Sequence, residues 1–348
     1  MPSYLITGGS GFLGAHLARE LLKRGAKVRT LDLSPFDEPD VKGQVESFVG
    51  DIRDEKGLKR AADGVDQIIH AAAALPLASW DDIFSTNVSG TEHVLRVAKQ
   101  QGISRVVVVS STAVYGIPKK HPIFEHDEKI GVGAYGQSKI LAEQVVSYFR
   151  HQGLCIPIIR PKTFIGTGRL GVFQILFDWI SKGARIPMIG NGNNRYQLLD
   201  VADLVSGILL LCDGEAQVVN DDFNVGASEF QTVREDLTAL CLAAGTGSRV
   251  LSTPAKPIRV ILKVLEKMRL SPLYQWVYDT ADKDSFVSTE KISSTLGWKP
   301  QYSNQASLRR TYEWYRENAG RYEGLYGTTH RVFWKQGALT LARKILGG

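Results

Sequence analysis

Two residues four positions apart, Tyr135 and Lys139 in Tyr135-Gly136-Gln137-Ser138-Lys139, have the types and spacing for proton transfer. On a helix they share one face. A free phenol titrates near ~10, too high for a base at neutral pH, and a nearby ammonium favours the phenolate. Upstream, Ser110-Ser111-Thr112-Ala113-Val114-Tyr115-Gly116 closes a β-branched run, and the Ser111 hydroxyl could orient a substrate oxygen. A Tyr/Lys pair at this spacing is common by chance. A strand ending Ser-Ser-Thr, then the pair, then the run Ile156–Arg160 with Pro161, is not. Serine, tyrosine and lysine in that order suit proton transfer coupled to hydride transfer at a secondary alcohol or its ketone.

A hydride needs a carrier, and the first residues supply a place for one. Ile6-Thr7-Gly8-Gly9-Ser10-Gly11-Phe12-Leu13-Gly14 follows a strand pattern and opens a helical one. Gly8, Gly11 and Gly14 divide three tasks: a tight turn, backbone approach to a pyrophosphate, and close helix–strand packing. Asp32 ends the next strand, where a carboxylate accepts the adenosine ribose hydroxyls and repels a 2′-phosphate. The cofactor is therefore expected to be NAD rather than NADP. Asp51 and Ile52 follow the third strand and could hold the adenine edge and face. Ala71, Ala72 and Ala73 follow the fourth and let backbone pass close to the cofactor. Asn87 could order central backbone near the site. With Phe12, Leu13, Ser110, Tyr135, Lys139 and Pro161 these form the expected cofactor-binding set, Lys139 also reaching the nicotinamide ribose. No metal site is expected.

The elements that must position these groups alternate. Tyr4–Thr7, Lys27–Asp32, Glu46–Val49, Gln67–His70, Arg105–Ser110 and Cys155–Arg160 read as strands with few charges, as for strands buried on both faces of a parallel sheet. Helical spacing marks Phe12–Arg24, Asp82–Gln101 and a long helix from Tyr135 to about His151. The fold class is α/β: a Rossmann doubly wound parallel sheet with a smaller C-terminal substrate lobe. The expected division is 1–165 for the cofactor domain, its last elements interleaving with the second half, and 166–348 for the lobe. In the latter, Val172–Lys182, Asp203–Leu211 and Val233–Ala244 read as helices and Asp222–Val225 as a strand. Lys256–Met268 and the tail Arg331–Leu346 read as basic amphipathic helices, suited to docking on their own protein or to lying on an anionic membrane.

In ordered combination these residues resemble the extended short-chain dehydrogenase/reductase family, the NAD-dependent epimerases and dehydratases. The resemblance runs from about Tyr4 to Trp314 and includes Asp51 to Asp54, His70 to Ala73, Asn87 to Thr91, Arg160-Pro161, Asn224-Val225-Gly226 and Leu296-Gly297-Trp298-x-Pro300. It implies Ser111 orienting, Tyr135 as acid/base and Lys139 supporting. It also implies a homodimer through a four-helix bundle of the Asp82–Gln101 and Tyr135–His151 helices. Where sugar-nucleotide members carry an asparagine after the Arg160 strand, this chain has Thr163, and Tyr278–Phe286 lacks their arginine. In their favour, the segment around Arg195 resembles one whose arginine contacts a diphosphate, and Arg169 is a second candidate. The substrate set is thus Ser111, Thr163, Arg169 and Arg195. Pro254–Trp276 looks more like the substrate-side helices of the 3β-hydroxysteroid dehydrogenase branch. A nucleotide-sugar epimerase or related sugar-nucleotide oxidoreductase is the leading expectation; a dehydrogenase or reductase of a sterol or other lipid is the alternative.

Composition bounds the partners. The chain has 348 residues, 43% hydrophobic and 22% charged, with a net charge of +6. That mild basic excess suits an anionic ligand or membrane surface, and no basic run is dense enough to favour nucleic acid. Three scattered cysteines form no CxxC and read as reduced core thiols. With no signal-peptide pattern, the expected location is cytoplasmic, with peripheral membrane contact through 256–268 and 331–346 as an added expectation.

Overall fold

Contiguous β-branched runs need cover on both faces, and they obtain it by pairing in parallel with helices above and below. The computed structural model describes residues 1–268, 270, 273, 275–327 and 329–347. Within Pro254–Trp276, residues 269, 271, 272 and 274 lie outside the described residues. The first half runs β1 (Ser3–Thr7), α1 (Phe12–Lys23), β2 (Lys27–Asp32), β3 (Val45–Val49), α2 (Glu55–Ala62), β4 (Gln67–His70), α3 (Trp80–Phe84), α4 (Thr91–Gln100), β5 (Arg105–Val109), α5 (Gly133–His151) and β6 (Ile158–Pro161). The rest runs β7 (Phe164–Ile165), α6 (Val172–Ser181), β8 (Ile186–Ile189), β9 (Leu199–Asp200), α7 (Val201–Asp213), α8 (Ala216–Val219), β10 (Asp222–Val225), α9 (Val233–Ala244), β11 (Val250–Thr253), α10 (Ala255–Lys267), α11 (Gln275–Thr280), α12 (Glu290–Leu296), α13 (Asn304–Asn318) and α14 (Leu339–Ile345).

Seven strands form one parallel sheet in the order β10-β6-β5-β4-β1-β2-β3. The order reverses between β1 and β4, the crevice where such sheets bind ligands outside their carboxyl ends. Helices α1 and α7 cover one face around Leu17, Leu204 and Ile208. Helices α2, α4 and α5 cover the other around Leu58, Leu95 and Val146. The sheet takes its seventh strand, β10, from beyond residue 166, so the two halves of the chain interleave. Short parallel pairs β7-β9 and β8-β11 lie outside it. A third core, around Phe177, Leu240 and Tyr312, fills the lobe.

Several expectations need correction. The predicted helix Asp82–Gln101 is divided into α3, a wide turn Ser85–Gly90 and α4. The wide turn admits the buried Asn87 side chain, and a Cβ at Gly90 would stand 2.5 Å from Ile52. The strand predicted to begin at Cys155 begins at Ile158. Pro157 has no N–H to give, and Cys155 makes only an isolated bridge to Arg105. At the sheet edge, β3 has no neighbour on one side and leaves Glu46, Ser47 and Val49 exposed, so it is not buried on both faces. The tail Arg331–Leu346 is not one amphipathic helix. Only α14 is helical, while Phe333 and Trp334 pack into the lobe core beside Tyr315. In α10, Leu262 is buried, but Ile261 is exposed with Val260, Val264 and Met268.

Candidate active site

The glycine turn after β1 is shaped by contact. Gly8 has φ +73°, and a Cβ there would lie 2.7 Å from Ala72 N. At Gly14 a Cβ would meet Gly9 O at 2.4 Å, so α1 starts hard against the turn. Gly11, at the helix start, is extended (φ −73°), and a Cβ there would meet only Gly8 O. Beyond that oxygen the Cβ side of Gly11 is open, as the cradle for a pyrophosphate needs. Asp32 ends β2 with its carboxylate accepting Ser10 N at 3.0 Å and Ser34 N at 3.2 Å. Ala71 and Ala72 run directly behind Gly8, their amides donating to Thr7 O and Thr7 Oγ1. Asp51 is engaged: Arg53 donates to it from backbone and guanidinium and holds its carboxyl below the usual range. Ile52 is buried under Gly90. Phe12 stacks on Phe164 at 5.9 Å, and Leu13 is buried in the core beneath the turn.

A buried polar chain ties this cradle to the proton-transfer residues. Thr7 Oγ1 meets His70 Nδ1 at 2.7 Å, and His70 Nε2 meets Thr91 Oγ1 at 3.0 Å. Thr91 donates to Asn87 O at 2.7 Å. Asn87 Nδ2 donates to Ser138 Oγ at 3.0 Å, and Ser138 donates to Tyr135 O at 2.9 Å. Burial pushes His70 down to about 3, so it stays neutral and can bridge two hydroxyls. The run His70–Ala73 was legible as a motif, but its threonine and serine partners were not.

Ser111, Tyr135 and Lys139 come together where β5 and β6 end. Ser111 caps the turn Thr112–Tyr115, its Oγ accepting Ala113 N at 3.1 Å. Tyr135 and Ser111 share a hydrogen bond, yet burial pushes the phenol up to about 12. Lys139 does not offset this: its Nζ donates to Val109 O at 3.2 Å and stands 5.9 Å from the centre of the Tyr135 ring. Burial pushes Lys139 down to about 8, against the pull of Glu143. The protein's own groups therefore hold Tyr135 as a phenol, poised to donate, and a further positive charge at the site is needed to make it a base at neutral pH.

Ser111 and Tyr135 line a cavity of about 360 Å³ that also takes in Ser110, Pro161, Thr163 and Arg169, with Lys139 behind it. Its apolar wall includes Leu75, Pro76, Trp80, Ile83 and Val132. Thr163 Oγ1 and Tyr196 OH are 3.0 Å apart. Arg169 is buried and spreads over the rings of Phe12, Phe164 and Phe173. Arg195 is not among the lining residues. It is exposed, between Phe230 and Phe286 at 4.7 and 4.9 Å, and Tyr196 enters the cavity instead. Consecutive residues of an extended segment point to opposite sides, and this one is pinned by bridges Arg195↔Thr232 and Tyr196↔Ser285. Among the lining residues outside the expected sets are two further titratable groups, far apart in the sequence. Lys162 follows Pro161, and His330 comes from the tail. The tail also crosses the glycine turn: Arg331 Nη1 donates to Ser10 O at 2.7 Å and its Nη2 to Glu38, while Leu170 N donates to His330 O at 2.8 Å.

Residues 4–226 match the model of the NAD dependent epimerase/dehydratase family. The chain belongs to that family. It is an NAD-dependent oxidoreductase of the epimerase/dehydratase type, with the fold of the extended short-chain dehydrogenases/reductases. It is 36% identical over 341 residues to protein y4nG of Sinorhizobium fredii, covering 97% of this chain and 84% of that one. To a 3 beta-hydroxysteroid dehydrogenase/Delta 5→4-isomerase of Mycobacterium tuberculosis it is 28% identical over 340 residues, covering 89% and 90%. Among solved structures, a dTDP-glucose 4,6-dehydratase from Streptomyces venezuelae with NAD bound is similar at TM-score 0.74 and 28% identity, covering 92% and 98%. Among the described residues, no helix is long and apolar enough to cross a membrane.

Proposed function

We propose that this family member moves a hydride and a proton at a secondary alcohol of a sugar nucleotide, with Ser111, Tyr135 and Lys139 as its reacting machinery. The observation that carries the reading is one cavity lined by Ser111 and Tyr135 together with two buried cations, Lys162 and Arg169. Cations removed from water suit a substrate that brings phosphate or carboxylate. Ser111 holds the substrate oxygen by its hydroxyl. Tyr135 gives its proton to that oxygen in reduction and takes it back in oxidation. Lys139, fixed by the Val109 carbonyl, lies one turn away, where it could hold the nicotinamide ribose. When bound, NAD would supply the hydride acceptor and a positively charged ring. The Gly8–Gly14 turn, Asp32 and the Ala71–Ala73 segment are the residues to hold it.

Incubation with uridine and thymidine diphosphate sugars, read by sugar analysis, tests the substrate. Interconversion with NAD retained through native mass spectrometry is the expected result; no conversion and no binding across the panel sinks it. A homodimer through the outer face of α5, where Leu141 and Tyr148 are exposed, belongs to the same reading, and light scattering checks it.

A second reading is favoured by α10. This helix contributes Glu266 to the cavity and exposes Val260, Ile261, Val264 and Met268 beside Lys256, Lys263 and Lys267. An apolar ridge rimmed by lysines suits an anionic membrane surface and a lipid alcohol or ketone as substrate, with net NADH turnover. Cosedimentation with anionic vesicles and oxidation of a 3β-hydroxysteroid support it; a protein that ignores both excludes it.

A further inference from the structure

Lys162 is the least explained charge in the molecule. It is 3% exposed, directly after Pro161 at the end of β6. Its Nζ donates to Ser285 Oγ at 2.5 Å and stands 4.8 Å from the centre of the Tyr196 ring. Among the described residues it enters no ion pair, and no carboxylate acts on its charge. Desolvated ammonium groups are costly unless paired. A residue needed only for packing there would be apolar.

Its position is close to the proposed chemistry. The Pro161 carbonyl accepts the Thr112 hydroxyl at 3.3 Å, and Thr112 follows Ser111. Lys162 and Ser111 therefore stand at the adjoining ends of β6 and β5 and line the same cavity with Tyr135. Ser285 takes one of the three N–H donors of the ammonium and leaves two. Two N–H donors on one ammonium can meet the oxygens of one carboxylate. A diphosphate is better matched by a planar guanidinium fork such as that of Arg169.

We infer that Lys162, held in place by Ser285, receives a carboxylate borne by the substrate close to the reacting carbinol carbon, and so decides which alcohols the site accepts. A hydroxy acid, such as a sugar acid or an acidic sterol, is the class so described. Burial pushes the Lys162 ammonium down to about 7, so an arriving carboxylate also fixes its proton. The inference rests on this cavity being the substrate site, and not on the substrate carrying a nucleotide.

Two measurements separate the inference from the sugar-nucleotide reading. The first uses the NADH-loaded protein and two small probes of nearly equal shape, trifluoroacetate and trifluoroacetamide, observed by fluorine NMR line broadening. The expected result is broadening of the acid only, lost in Lys162→Met and kept in Lys162→Arg. Equal broadening in wild type and Lys162→Met, or none in either, overturns the inference. The second compares UDP-glucuronic acid with UDP-glucose, and a 3β-hydroxysterol carrying a 4-carboxylate with its parent. The acid of a reacting pair should be preferred by ~10-fold or more, the ratio collapsing in Lys162→Met through KM rather than kcat. A preference for the neutral member, or a ratio indifferent to Lys162→Met, overturns it. Capture of trifluoroacetate by Lys162 with no sugar nucleotide turned over sinks the sugar-nucleotide reading alone.

Discussion

Pro161 separates two buried cations that are treated in opposite ways. On one side, Arg160 is fully buried and every donor is used. Glu143 accepts from Nε and Nη2 at 2.9 Å each, Tyr115 OH accepts from Nη1 at 2.8 Å, the Glu125 carbonyl accepts at 3.1 Å, and Asp222 completes the set. Burial alone would raise Glu143, yet Arg160 and Lys129 hold it below its usual range. On the other side, Lys162 has a hydroxyl and a ring face. The Arg160 region is electrostatically closed and holds β5, β6, β10 and α5 together. The Lys162 region is open and faces the cavity. Two neighbouring charges thus divide architecture from recognition, and the presence or absence of a resident carboxylate tells which is which.

The largest expected effect lies on the open side. Tyr135→Phe should lower turnover by about 10²- to 10⁴-fold while the protein stays folded, as assayed by NADH absorbance and urea unfolding. Retained turnover would remove the cavity's claim to the chemistry. On the closed side, Arg160→Met removes the fully buried cation that Glu143 and Asp222 share, leaving them Lys129 and Arg150. It should cost about 3–5 kcal/mol in urea unfolding, and a loss under ~1 kcal/mol would break the contrast. Lys162→Met should leave stability at pH 7 within about 1 kcal/mol of wild type, or above it.

The pH dependence sharpens this difference. An unfolded lysine keeps its proton up to 10.5, whereas folded Lys162 releases it at about 7. The unfolded chain binds the extra proton between those values, so stability rises with pH across that window. The contribution is at most about 1.4 kcal/mol per pH unit. Urea midpoints at pH 7 and pH 9 should climb more steeply in wild type than in Lys162→Met; Lys139, depressed to about 8, contributes the same sign in both. The smallest effect belongs to Arg195→Ala. Exposed between two half-buried rings, the guanidinium is worth about 0.5–1 kcal/mol, and turnover should hold within ~2-fold. A larger loss of turnover would return Arg195 to the substrate set.

The same contrast explains what could be read without coordinates. The glycine turn, Asp32 and the Tyr135/Lys139 pair depend on short-range spacing along a strand–turn–helix or within one helix, and such spacing survives in the sequence. The strand runs were legible because a doubly covered parallel strand must be apolar along its length. That Arg195 stands outside the cavity lining is not legible, because a short extended segment shows alternation but not its phase, which bridges to Thr232 and Ser285 fix from far along the chain. The tail was read as a helix because Phe333, Trp334, Leu339 and Leu346 are apolar. Their true partners are Tyr315 and Tyr322 in the lobe and His330 beside them. Lys162 carried a signal that was available: a lone charge between Pro161 and Phe164, in a run leaving a buried strand.

Arg331 and Ser10, 321 positions apart, share a hydrogen bond across the glycine turn, and Glu38 holds the same guanidinium. Order at the two ends of the chain is thereby thermodynamically shared: whatever tightens the turn shields the tail, and whatever pulls on the tail loosens the turn. Cleavage of residues 329–334 by a protease thus becomes a gauge of what the turn is holding, and a tag fused at the C-terminus becomes a load on it.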